Sequence, residues 1–175
     1  MKFKDKNEFD LISLEFDYQN LYECDLPICE IIDFIERKKV DFNPEYQRGI
    51  EWKESQQVKF VEWILRGGDT GKLYFNDPKF RRGGGSLEIV DGKQRLYSFV
   101  RFLKNEFTVF NDFVEGGVTY SDIENQIPFV AKLRYAVNTI SDKNELLNWF
   151  LDLNRGGTYV SDTHIEKVKA MIEKI

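Results

Sequence analysis

The chain has 175 residues, 31% of them charged and 42% hydrophobic, with a net charge of −5 and an isoelectric point near 5.1. That length carries one well-packed domain, and no apolar run approaches the ~18 residues needed to span a bilayer. The acidic balance argues against a whole-molecule electrostatic grip on nucleic acid, so a polyanion would have to be held by a few placed arginines.

Residues 1–24 are expected to form an N-terminal arm, irregular or strand-like, ahead of a single domain over 25–175. The polar, mixed-charge start does not read as a signal peptide. Cys24 and Cys29 are the only cysteines and His164 the only histidine. They support neither a disulfide framework nor a zinc site. Two small, semi-buried thiols in a reducing cytoplasm are the expectation. Pro27 suits a first helical position, and Ile28, Ile31, Ile32 and Ile35 recur on one helix face, closed by cations in "ERKK". A loop over 40–52 follows, broken by Asn43-Pro44. A second helix runs from about Ser55 to Arg66 and stops at Gly67-Gly68.

"KLYF" (72–75) and "LEIV" (87–90) read as strands, separated by a basic, glycine-rich loop containing Arg81 and Arg82. Leu96, Phe99, Val100 and Leu103 define the next helix. Residues 107–131 carry turn signals at Gly116-Gly117 and Pro128 but no clear element. "KLRYAVNTI" (132–140) alternates as a strand. Asp142 with Glu145, and Thr163 with Glu166, read as capping boxes opening two last helices. Trp52, Trp63 and Trp149 read as packing residues, and His164 as a surface or capping residue. The fold class is α+β: one domain with a small mixed sheet packed with several helices.

Polar residues concentrate at three turns: Asn43 to Arg48, Asp91 to Arg95, and Asn154 to Gly157. At the middle one a strand runs into a helix through Asp91-Gly92. The first helical turn leaves unpaired N–H groups and a partial positive charge. Gly92 permits a sharp turn and close approach to the backbone, while Lys93 and Arg95 add donors, a combination suited to a phosphate. An ordinary strand-to-helix turn, capped by Asp91 and decorated with solvated cations, is the other reading. "RGGDTGKL" (66–73) fails as a Walker loop: Arg66 stands where the first glycine belongs and Leu73 where Ser or Thr should hold Mg²⁺.

"FNPEYQRGIEW", "IVDGKQRLYSFVRFL" and "WFLDLNRGGTYVS" resemble, in order, the three signatures of the "DGQQR" family, the domain of unknown function 262. That family forms the N-terminal half of GmrSD-type modification-dependent restriction systems and is similar to the nucleotide-binding core of ParB and sulfiredoxin. The resemblance implies a ParB/sulfiredoxin-like domain that binds a nucleoside triphosphate, with Mg²⁺ as cofactor and NTPase activity a prospect. It implies phosphate contacts from Gln47, Arg48, Gly92, Lys93, Gln94, Arg95, Asn154 and Arg155, catalytic roles for Asp91 and Arg95, and Asp91 or Glu88 as metal ligand. The chain departs from the family at Lys93, where Gln is usual, and at Arg155, where Thr is common. The His-based nuclease half of the familiar systems is not in this sequence. Alternatives are a DNA-binding or nicking protein on the same scaffold, using Arg81-Arg82 and the "DGKQR" cations, and a catalytically silent interaction protein that binds a nuclease, another protein or a second copy of itself.

Overall fold

In the computed structural model the described residues are 22–80, 85–127, 131–155 and 161–173. Residues 1–21 of the arm expected over 1–24, Arg81-Arg82, Pro128 and Gly156-Gly157 lie outside them. The elements are β1 (Tyr22–Pro27), a 3-10 turn (Ile28–Glu30), α1 (Ile31–Lys38), α2 (Glu54–Leu65), β2 (Lys72–Asn76), β3 (Glu88–Asp91), α3 (Lys93–Leu103), α4 (Tyr120–Ile123), β4 (Lys132–Asn138), α5 (Lys143–Arg155) and α6 (Asp162–Ile172). The architecture is α+β. Four strands form one mixed sheet in the order β1-β4-β2-β3. β1 pairs antiparallel with β4, β4 parallel with β2, and β2 antiparallel with β3.

Period-two alternation sorts the strand side chains onto two faces. Leu73 and Phe75 of β2, Ile89 of β3, and Leu133, Tyr135 and Val137 of β4 pack with Ile31, Phe34, Val61, Ile64, Leu96, Phe99 and Phe102 from α1, α2 and α3. Val90 and Tyr74 face the other way, onto a smaller cluster made by Leu146, Leu147 and Phe150 of α5 and Val168 of α6. The sheet is thus a middle layer. A fully buried ring such as Phe99 contributes roughly 2–3 kcal/mol by its removal from water.

Helix boundaries follow local chemistry. Arg66, Gly67 and Gly68 close α2, with the Gly67 and Gly68 amides returning to Ile64 O (2.8 Å) and Trp63 O (2.9 Å); Gly67 takes the left-handed φ of 87° that such a stop requires. The Asp142 carboxylate accepts the Glu145 N–H at 2.8 Å and starts α5.

Several expectations are corrected. The chain ahead of α1 is a strand and a 3-10 turn, and Phe34 rather than Ile32 completes the buried face of α1. The N-cap of α6 is Ser161, not Thr163, which lies inside its first turn. Both cysteines are exposed thiols. Trp63 is 58% exposed and covers the α2 stop, donating its indole N–H to Asp69 O at 3.1 Å. His164 is half-buried, bonded through Nε2 to Tyr46 O at 2.8 Å and edge-on to Phe150, so it ties α6 to the 40–52 loop. Among the described residues no helix is long and apolar enough to cross a membrane.

Candidate functional site

β3 ends at Asp91, and Gly92 turns the chain into α3 with a φ of 95°. A Cβ at Gly92 would stand 2.1 Å from Leu73 Cδ2 and 3.1 Å from Arg95 Nη2, so neither the backbone conformation nor the space admits another residue without strain. No side chain caps α3 and no acid lies in its first turn. The first-turn amides therefore keep their partial positive charge. Asp91 is not the cap. It forms an ion pair with Arg95 (Oδ2 to Nη2, 2.5 Å), whose other terminal nitrogen donates to Thr70 O at 2.9 Å. The segment that fails as a Walker loop thus holds the Arg95 guanidinium by a carbonyl.

The 40–52 loop is pinned over this turn by side chains of the motif itself. Gln94 Oε1 accepts from the amides of Glu51 (3.0 Å) and Trp52 (3.1 Å), and Gln94 Nε2 donates to Gly49 O at 2.9 Å. Lys93 Nζ donates to Asn43 Oδ1 (3.1 Å) and Arg48 O (2.5 Å). Lys93 is only 6% exposed. Burial lowers its pKa and the Asp41 charge works against that shift. From the loop, Gln47 Nε2 donates to the Ile89 and Val90 carbonyls at 2.9 and 2.7 Å, fastening the loop to β3. Arg48 pairs with Glu51 at 2.6 Å.

These anchors leave a cleft of about 340 Å³ lined by Arg48, Trp52, Phe60, Asp91, Gly92, Lys93, Gln94, Arg95 and Asn154. Residues from all three polar turns are therefore brought together at the start of α3. Asn154 reaches it from the end of α5, with its Nδ2 bonded to Phe150 O at 2.7 Å. Gln47 is not a lining residue; it acts on backbone behind the cleft. The side chain of Arg155 lies outside the described residues.

Glu88 stands apart. It is three residues from Asp91 in β3, with a shift of register against β2 between them, and it does not line the cleft. Its Oε1 accepts from Asn76 Nδ2 at 2.8 Å, close to Tyr46. Burial raises its pKa, the approach of Asn76 and Tyr46 lowers it in part, and the Asp41 charge raises it again. The Tyr46 hydroxyl is itself buried without a hydrogen bond of ordinary geometry. Among the described residues no cluster of three or more His, Cys, Asp or Glu is arranged to hold a metal. Among the described residues Asp91 is the one carboxylate lining the cleft.

Trp52 and Phe60 were not candidates from the sequence, although Trp52 is the last residue of the first motif, four positions after Arg48. A family model described as "GmrSD restriction endonuclease, N-terminal domain" matches residues 28–172. The chain belongs to this family. The match to the GmrSD N-terminal domain family runs from the 3-10 turn to the last residue of α6, so it covers every element except β1. No curated protein and no solved structure matches the chain. Membership in this family makes the protein a component of the restriction and defence class.

Proposed function

We propose that the chain is a nucleotide-binding domain of a restriction or related defence system, holding the phosphates of a nucleoside triphosphate at the start of α3. One observation carries the reading: three turns far apart in sequence line a single cleft at a helix N-terminus that no side chain caps. Helix amides and arginine forks together suit a phosphate chain. Arg95 and Arg48 are each paired with a carboxylate, so an incoming phosphate would compete with Asp91 and Glu51 for them. The mixed sheet is compatible with a ParB/sulfiredoxin-like core.

Mg²⁺ is commonly held by one or two carboxylates plus substrate phosphates. Asp91 alone fits that role here, as a ligand to an ion brought in by the triphosphate, while Glu88 is not among the residues lining the cleft and is bonded to Asn76. The ion would neutralise phosphate charge; the chain's own residues bind and orient. Gln94, Lys93 and Gln47 act as positioning residues, since their polar atoms hold the 40–52 loop and the end of β3.

The test is calorimetric titration of the purified chain with ATP, GTP, CTP and UTP, each with Mg²⁺, alongside Arg95→Ala. Saturable binding by the native chain, lost in a variant with an unchanged circular dichroism spectrum, is expected. Binding of every nucleotide undiminished in Arg95→Ala would refute the assignment.

A further inference from the structure

The cleft has one apolar wall that the phosphate reading leaves without a role. Trp52 and Phe60 line it together with the arginines and Gly92. Trp52 belongs to neither apolar cluster of the protein, whereas Phe60 packs against the larger one. The Trp52 ring meets Phe60 edge-on at 5.4 Å, and Phe60 meets the fully buried Phe99 in the same way at 5.4 Å. An aromatic series therefore runs from the core out to the cleft and ends on Trp52.

The backbone of Trp52 is fixed on both sides. Its N–H donates to Gln94 Oε1 at 3.1 Å and its carbonyl accepts from Gln57 Nε2 at 2.8 Å. Gln57 is buried and also accepts from Arg101 at 3.0 Å. A large, half-buried indole held this firmly in a polar cleft presents a flat apolar surface at little entropic cost on binding.

We infer that Trp52 is the stacking platform for the nucleobase of a nucleotide whose phosphates sit at the start of α3. The inference rests on the phosphate reading and deepens it by assigning the base subsite. It also sets the selectivity. The Gln94 carbonyl oxygen and one of its N–H groups are committed to loop backbone, and one Asn154 N–H to its own helix, so the indole face is the largest surface in the cleft offered to a base. Every base has a π face, so stacking alone discriminates weakly. Purines, with the larger ring, bind more tightly than pyrimidines.

Calorimetric titration of wild type, Trp52→Ala and Trp52→Phe with the four nucleoside triphosphates and with inorganic tripolyphosphate, all with Mg²⁺, tests this. The expected result is that Trp52→Ala weakens the triphosphates of adenosine and guanosine about 5- to 150-fold, leaves tripolyphosphate unchanged, and that Trp52→Phe restores most of the loss. Intrinsic fluorescence supplies a second readout: purine nucleotides quench the wild type and quench Trp52→Phe much less. Equal affinity of wild type for nucleotides and tripolyphosphate, with Trp52→Ala indifferent, overturns the base subsite and leaves the phosphate site standing. Parallel loss of nucleotide and tripolyphosphate in Trp52→Ala also overturns it, because Trp52 is then a support of the loop. Failure of both ligands to bind wild type overturns the phosphate reading and the base subsite together.

Discussion

Replacing Gly92 by Ala tests the geometry of the strand-to-helix turn directly. The φ of 95° costs a non-glycine residue about 1 kcal/mol or more. The added methyl would stand 2.1 Å from Leu73 Cδ2, and Leu73 is 1% exposed in the main core, so it has no room to retreat. Overpacking of that kind costs about 1–3 kcal/mol. The sum is about 2–4 kcal/mol, a large part of the roughly 5–15 kcal/mol by which domains are stable. Urea denaturation with an m-value of about 2 kcal/mol/M would move the midpoint down by about 1–2 M. Gly49→Ala is the control, because a Cβ there meets nothing within 4 Å; its change should stay within about 0.5 kcal/mol. If Gly92→Ala matched that control, neither the left-handed turn nor the contact with Leu73 would be as described.

Gln94→Ala leaves the Glu51 and Trp52 amides and the Gly49 carbonyl without their partner, so a loss of about 2–3 kcal/mol is expected in the same titration; a loss under about 0.5 kcal/mol would show that water replaces the side chain at no cost. Glu88 predicts a pH effect of definite sign. Burial raises its native pKa, so in the window above the ordinary carboxylate range the folded chain keeps a proton that the unfolded chain has released. The stability tied to Glu88 is complete below that window and falls as pH rises through the native value. Glu88→Gln removes this fall, so the variant should gain on wild type as pH rises above the ordinary carboxylate value of about 4; a difference constant with pH would contradict a buried carboxyl with a raised pKa.

Much of the frame was readable from period alone. Leu73, Phe75 and Ile89 alternate inward, and Leu96, Phe99 and Val100 recur at helical spacing, because burial of one face imposes those intervals. β1 was hidden by its place at the sheet edge. Tyr22 and Leu26 pack inward, but Glu23 and Asp25 meet solvent, and four of its six residues are acidic, exposed or proline-like in character. The three turns could be found by composition, since Gly, Asn and Arg concentrate where regular structure stops. What Lys93 and Gln94 do there could not, because their partners lie 42 to 50 residues away and no local rule names them. The position of Glu88 outside the cleft was not available, since the register of β3 against β2 shifts between Ile89 and Asp91 and simple alternation does not carry across it. Trp52 gave no such signal; a tryptophan beside a loop reads as packing until the cleft it lines is formed.

The strand order has a consequence for the chain as it leaves the ribosome. Among the described residues β1 is hydrogen-bonded to β4 alone, with Pro27 opposite Lys132 and Tyr22 opposite Val137, so partners are 105 to 115 positions apart (132 − 27 and 137 − 22). At about 5–20 residues per second, the first strand made stands without its neighbour for about 5–20 s. β2 waits on its β4 side across 62 positions (134 − 72), about half as long, and has β3 to pair with meanwhile. The hairpin of β2 and β3, with α3 laid across it, is then the part that can assemble early, and it already contains Asp91, Gly92 and Arg95. The acidic groups of β1, Glu23 and Asp25, meanwhile guard an unpaired edge against other chains, as charged edge strands commonly do.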